Sequence, residues 1–289
     1  MTSPALRHTK ESPIDWRGSI PFLTLWATGI IGPFFTGLSS ISVAVAILLY
    51  YVRMFFVTAF LHRYFSHKSY RVNRFWQFIF AILTCLAVQN GPCWWAAHHR
   101  HHHQHSDTEK DFHSNFWWGF LESHVLWFLR INSQKTDWGR IGDLKRYPEI
   151  RAFDNKLIYI IPPTLLAVGC YWLGSFLGDD YGTNGWQMMI VGFFLSTFIL
   201  HNGTFTINSI SHMWGKQRYA DTGDMSLNNW FLAIFVTLGE GWHNNHHKHQ
   251  YLVRQGHTPW EIDITYYGIK LLEALGIARG LRMSNSPTM

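Results

Sequence analysis

SSISVAVAILLYYVRMFFVTAFLHRYFSH, residues 39–67, joins the two features that decide the fold. Its first part, 39–61, is an apolar stretch of near-bilayer length, judged against the roughly 20 residues a helix needs to cross. Its last part, HRYFSH, places His62 and His67 where that stretch ends. Comparable apolar stretches cover about 20–36, 157–177 and 186–207. The pattern predicts an all-α integral membrane protein: four transmembrane helices in two hairpins, with a helical cap formed by 62–156 and 208–289.

Basic residues give the expected sidedness. The links within each pair, Thr36 to Ser40 and Gly178 to Gly185, contain no Lys or Arg. Arg63, Lys68, Arg71, Arg74, Arg100, Lys110 and others through Lys156 fall between the pairs; Lys216, Arg218, Lys248 and Arg254 follow the second, and Arg7, Lys10 and Arg17 precede the first. Positive residues stay inside, so both termini and the cap are expected on the cytoplasmic side of a cell inner or plasma membrane. Phe75–Val88 is short for a span. If it crossed, the histidines before and after it would face opposite sides, so it reads as interfacial or buried. Phe116–Ile131, with tryptophans among polar residues, reads as an interfacial helix.

Composition agrees. Charged residues are 15% of the 289, against 47% hydrophobic and 17% aromatic, well under the roughly 25% charge of soluble domains. The mean hydropathy of -0.04 requires much of the chain to lie outside the bilayer. One unit spanning 1–289 is expected, since no Pro/Ser/Gly-rich linker divides it. Three cysteines follow no metal or disulfide pattern, and the N-terminal segment does not read as a cleaved signal. The net charge of +6 is spread among tryptophans and apolar runs, which argues against nucleic acid as a partner.

Most of the 18 histidines fall in three short groups just outside the spans: HRYFSH, HHRHHH (98–103) and GWHNNHH (241–247). Residues at i, i+3 and i+4 share a helix face, so His99, His102 and His103 can converge, as can His243, His246 and His247. His98, His101 and His102 form a rival triplet. His62 and His67, five apart, lie about 140° apart on an ideal helix and could each serve a different ion. Imidazole suits zinc, copper, iron or nickel. About eight histidines exceed what one tetrahedral zinc would use, which points to a dinuclear site.

The order HRYFSH, HRHHH, GEGWHNNHH, with two spans between the second and third groups, resembles the membrane fatty-acid desaturases. It is most similar to the delta-9 acyl-CoA (stearoyl-CoA type) branch and bacterial-looking, with the likeness covering about residues 40–250. The resemblance implies two non-haem irons held by His62, His67, His99, His102, His103, His243, His246 and His247. NSISH just after the fourth span supplies a ninth ligand, His212, and Asn208, which approaches one iron through water. It favours 99/102/103 over the rival triplet, because Arg100 then follows the first ligand and Asp111 and His113 match an acidic-x-His element. The implied reaction is O2-dependent insertion of a cis double bond into a saturated acyl-CoA, with electrons from a separate ferredoxin, rubredoxin or b-type cytochrome. By the same analogy Tyr50 and Met54, on the second span before His62, close an acyl tunnel. An acyl-lipid desaturase, a hydroxylase and a decarboxylase share these boxes. A metal transporter would need ionisable groups at membrane depth, and the spans carry almost none. His98, His101 and His105 are left to supporting or surface roles, and His8, His124, His201, His249 and His257 to ordinary ones.

Overall fold

The computed structural model describes residues 12–284, and Arg7, His8 and Lys10 lie outside them. Its principal helices, in chain order, are α1 (Trp16–Thr36), α2 (Ser40–Ser66), α3 (Arg74–Cys85), α4 (Pro92–His105), α5 (Lys156–Tyr181), α6 (Gly185–His212), α7 (His243–Lys248) and α8 (Ile264–Ala274). Among the described residues there is no strand, only isolated bridges such as Arg71 with Arg279.

Four of these helices, α1, α2, α5 and α6, are long and apolar enough to cross a bilayer. Their outward faces are apolar: Phe34, Phe35 and Phe176 are 85%, 84% and 86% exposed, as lipid-facing residues should be and water-facing ones rarely are. Gly37, at φ +70°, ends α1 in the left-handed region and donates to Pro33 O at 2.9 Å. Ser39 and Ser42 then cap α2 reciprocally. The first half of α6 packs against α1, α2 and α5. At Gly29 a Cβ would lie 2.7 Å from Phe194 O, so α1 and α6 meet through a missing side chain.

The spanning helices run past their apolar stretches. Helix α2 continues to Ser66 and α6 to His212, carrying polar residues beyond the span into the cap. The spans also hold more polarity than their composition suggests. Arg53, 1% exposed, donates to Thr197 Oγ1 (2.6 Å), Ser196 Oγ (2.7 Å) and Leu49 O (3.0 Å), so hydroxyls of α6 and a carbonyl of α2 solvate it.

Twelve residues make α3 about 18 Å long at 1.5 Å per residue, short of a bilayer core of about 30 Å. It ends against the spans: Leu86 O accepts from Arg53 and Ala87 O contacts His201 Nε2. Val88 and Asn90 then take φ of 55° and 63°, turning the chain into α4. Phe116–Ile131 is not one interfacial helix. Gly119, at φ 85°, breaks it after Asn115–Trp118, and the remainder winds as Glu122–Leu126 and Trp127–Leu129.

Candidate metal centre

The three histidine groups and His212 meet in one place. His62, His67, His99, His103 and His246 bring ring nitrogens within 4.8 Å of one another, and His102, His212, His243 and His247 do the same beside them. The rings of His103 and His247 are 4.5 Å apart, so the two clusters share a wall.

Helix geometry divides them. On α4, His99 and His103 are four apart and face the first cluster, while His102 faces the second; on α7, His243 and His247 face the second and His246 the first. At about 100° per residue, i and i+4 nearly eclipse while i+3 falls to the other side. Each triplet therefore straddles two clusters instead of filling one volume. The separation expected for His62 and His67 does not occur. The end of α2 is wound as a π-helix, and His67 N donates to His62 O at 3.2 Å. An i+5 bond stacks residues five apart, and both rings join the same cluster.

The scaffold around the histidines is polar and well bonded. Arg100 donates to Phe65 O (2.8 Å) and Ser66 O (2.9 Å) and to Asp143, tying α4 to the end of α2. Between the α7 histidines, Asn244 accepts from the amides of Arg218 and Tyr219, and Asn245 donates to Gln255 O and Glu261. His98 Nδ1 lies 2.9 Å from Trp94 O and His101 Nε2 2.7 Å from Lys110 O, and neither belongs to a cluster. His201 accepts from Trp26 Nε1 at 3.1 Å. His249 and His257 meet edge to face 5.4 Å apart and belong to neither cluster.

Acidic partners orient the rings. Asp111 Oδ2 faces His102 Nδ1 at 3.0 Å, Asp107 Oδ2 faces His212 Nδ1 at 2.8 Å, Asp224 Oδ2 faces His247 Nδ1 at 2.5 Å, and Glu240 pairs with His62 Nδ1. Spacing carried no sign of Asp107, Asp224 or Glu240, which come from three separate loops. A carboxylate at Nδ1 puts the imidazole proton there and leaves the Nε2 lone pair pointing inward. His102 Nε2 and His247 Nε2 then oppose two lone pairs at 3.3 Å, an arrangement that calls for a cation between them.

Burial first, and then mutual repulsion among the packed imidazoles if charged, joined at His67 by Arg100 and Arg63, holds His67, His99, His103, His243 and His246 well below the ordinary histidine value. That is the neutral form metals bind. Burial also outweighs Asp224 at His247, pushed down to about 4. At His102 burial is overcome by Asp111, and the pKa rises.

An apolar cavity of about 370 Å³ reaches the first cluster at His99 and passes Asn208. Phe22, Trp94, Trp95, Trp127, Phe128 and Phe205 wall it, and Gln89 Nε2 donates to Thr204 Oγ1 at 2.9 Å across one side. Its exposed lining residues are Pro21, Lys156, Leu157 and Ile160, at the starts of α1 and α5. Met54 and Tyr50 stand outside this lining. Met54 packs with Ala87 and Leu200, sequence neighbours of the lining residues Val88 and His201; Tyr50 OH donates to Val236 O at 2.7 Å. On the other side a polar depression lies over His67 and His103, walled by Ser66, Arg100, Gln104, Gln250 and Tyr251.

Four helices long and apolar enough to cross a membrane, two adjacent histidine clusters that could hold metal, and an apolar cavity that meets the first of them at His99 describe a membrane protein with a metal-ligating site beside an apolar pocket. The family model described as Fatty acid desaturase matches residues 38–260, and the chain belongs to that family. It is 32% identical to the palmitoyl-monogalactosyldiacylglycerol delta-7 desaturase of Arabidopsis thaliana, covering 98% of this chain and 75% of that protein. It is likewise 32% identical to the sn-1 stearoyl-lipid 9-desaturase of Anabaena variabilis (94% and 95% covered) and 35% identical to an acyl-CoA C20 delta5-desaturase of Anemone leveillei (80% and 70%). The chain is therefore an oxidoreductase of lipid metabolism.

Proposed function

We propose that the chain is an O2-dependent fatty-acyl desaturase that places a cis double bond at the delta-9 position, with two non-haem irons in the nine-histidine centre. The observation that carries this reading is the split of nine imidazoles into adjacent groups of five and four, the five-histidine group meeting an apolar cavity at His99. All-nitrogen donor sets of that size suit iron and exceed tetrahedral zinc. Bound iron with O2 supplies the oxidising power to remove hydrogen from an unactivated methylene, which side chains cannot provide.

The chain's own residues do the rest. Aromatic walls hold the acyl chain and exclude water, and the Gln89–Thr204 pair narrows its path beside His99. Asn208, on the cavity wall four residues before His212, is assigned the water-mediated approach to one iron. Met54 and Tyr50 back the closed end. Electrons come from a separate ferredoxin, rubredoxin or b-type cytochrome, and the depression over His67 and His103 is the approach assigned to that donor. The cap and both termini are assigned to the cytoplasmic side from the distribution of Lys and Arg.

For the carrier, the mouth of the cavity favours an acyl-lipid over an acyl-CoA. Among its exposed lining residues Lys156 is the one cation, beside Pro21, Leu157 and Ile160. Arg130 is engaged by Glu122, and Arg140 by Asp137, so these two basic residues are occupied elsewhere. A lipid chain already in the bilayer suits an apolar mouth better than a carrier bearing several phosphates. The test is expression in a host lacking unsaturated-fatty-acid synthesis, followed by mapping double bonds in its lipids. Delta-9 monoenes support the reading; hydroxylated or chain-shortened products overturn it.

A further inference from the structure

We propose that the chain makes its two metal sites electrically unequal. In this reading the four-histidine site holds the more oxidised iron, with Asp107, Asp111 and Asp224 as the positioning residues responsible. The proposal rests on the reading of the nine histidines as ligands of a di-iron centre.

The carboxylates are distributed one-sidedly. In the four-histidine cluster, three imidazoles of four have a carboxylate at Nδ1: His102 with Asp111, His212 with Asp107 and His247 with Asp224. In the five-histidine cluster only His62 does, with Glu240, among the described residues; His103 and His246 have buried Nδ1 atoms without a partner. A carboxylate on the far ring nitrogen makes an imidazole a stronger donor to its metal.

Countercharge deepens the difference. Glu240 is bonded by Arg63, at 3.0 Å and 3.2 Å, so its charge is already met. The other three are held by neutral groups. Asp107 accepts from Met225 N (2.9 Å) and Ser114 Oγ (3.4 Å), Asp111 from Asp107 N (3.0 Å) and His113 N (3.3 Å), and Asp224 from Ser226 N (3.0 Å) and Oγ (2.5 Å). Among the described residues none of the three pairs with Lys or Arg. Three buried negative charges therefore bear on the second site, and a neutralised pair on the first.

The backbone is arranged to do this. Asp107 sits at φ 56°, a conformation uncommon outside glycine though tolerated by Asp. From there its N–H reaches Asp111 while its carboxylate reaches His212. One residue of left-handed backbone just beyond α4 thus sets two of the three pairs.

A unit charge about 6 to 12 Å away, across an imidazole, at an effective dielectric near 20 shifts a charge-transfer equilibrium by roughly ten- to a hundredfold. The test uses the full-length protein loaded with iron-57. Mössbauer spectra and reductive titration are recorded for the wild type, for Asp107→Asn, Asp111→Asn, Asp224→Asn and Glu240→Gln, and for Asp224→Glu. Expected are two distinct iron signals, with each Asp→Asn change moving one of them. Each should make that iron easier to reduce, by about tenfold or more in the titration equilibrium. Glu240→Gln should shift the titration by clearly less, and Asp224→Glu should restore the wild-type signal. Loss of a single iron, confined to the Asp→Asn variants, also supports the proposal. Two equivalent signals in the wild type, or equal shifts in all four amide variants, overturn it. So does loss of both irons from Asp→Asn and Glu240→Gln alike. A wild type that takes up no iron would sink the di-iron reading itself.

Discussion

His67 donates its backbone N–H to the carbonyl of His62 at 3.2 Å, and the two imidazoles lie 4.8 Å apart, edge to face. This i+5 bond turns a spacing that would separate the rings on an α-helix into one that assigns both to a single cluster. His62→Ala and His67→Ala should therefore act on the same ion. Each should lower bound metal by about one ion per chain, and the double variant should lose no more than either alone. Loss of both ions in the double variant would put the two histidines on different metals.

The cavity gives a second expectation. Met54 is 1% exposed and packs one layer behind the inner wall, with Ala87 and Leu200. Met54→Ala opens space there, at a stability cost of about 2–5 kcal/mol. The accepted chain should lengthen or the products redistribute, read by gas chromatography of total lipid. An unchanged product profile across chain lengths would remove Met54 from the tunnel's end.

Protons should compete with metal. His67, His99, His103, His243 and His246 are held neutral by burial and by the repulsion that packed imidazoles would suffer if more than one were charged. Their folded-state values lie below the unfolded one, near 6.5, so in that window the unfolded chain binds more protons. The stability they allow is present above about 6.5 and lost as pH falls below it. Metal-free protein should show a thermal midpoint that drops between pH 7 and pH 5, and loaded protein should release metal over the same range. A flat midpoint across that range would contradict the assigned protonation.

Donor access should be separable from the chemistry. Tyr251 is 52% exposed at the rim of the depression over His67 and His103. Tyr251→Glu should slow reduction by an acidic ferredoxin several-fold through like-charge repulsion. Reduction by dithionite should stay at the wild-type rate. Equal rates with both reductants would move donor docking elsewhere.

Much of this was legible in the residues. Apolar stretches of bilayer length located all four spans, two of them running into histidines, since hydropathy over bilayer length is a composition signal that needs no tertiary contact. Local spacing could not say how each triplet divides. His102 and His246 go to opposite clusters because each is the odd member of its triplet, and the two helices meet across the site through imidazole contacts, His103 with His246 and His102 with His247. Nor could a 3.6-residue period anticipate the π-wound end of α2 that pairs His62 with His67. Asp107, Asp224 and Glu240 stayed hidden for another reason: they reach the histidines across 105, 23 and 178 residues of chain, and their neighbours look like ordinary polar loops. The same holds for the cavity, whose walls are tryptophans and phenylalanines drawn from four separate segments.

The most direct measurement is iron-edge X-ray absorption on purified protein, with elemental analysis of the same sample. Two irons per chain, each surrounded by nitrogen and oxygen and with a second iron nearby, is the expected result. Buried Cys85, Cys93 and Cys170 lie outside the two clusters, so sulfur should be absent from the ligand shell. A single ion per chain, zinc in place of iron, or a sulfur neighbour would contradict a nine-imidazole di-iron centre.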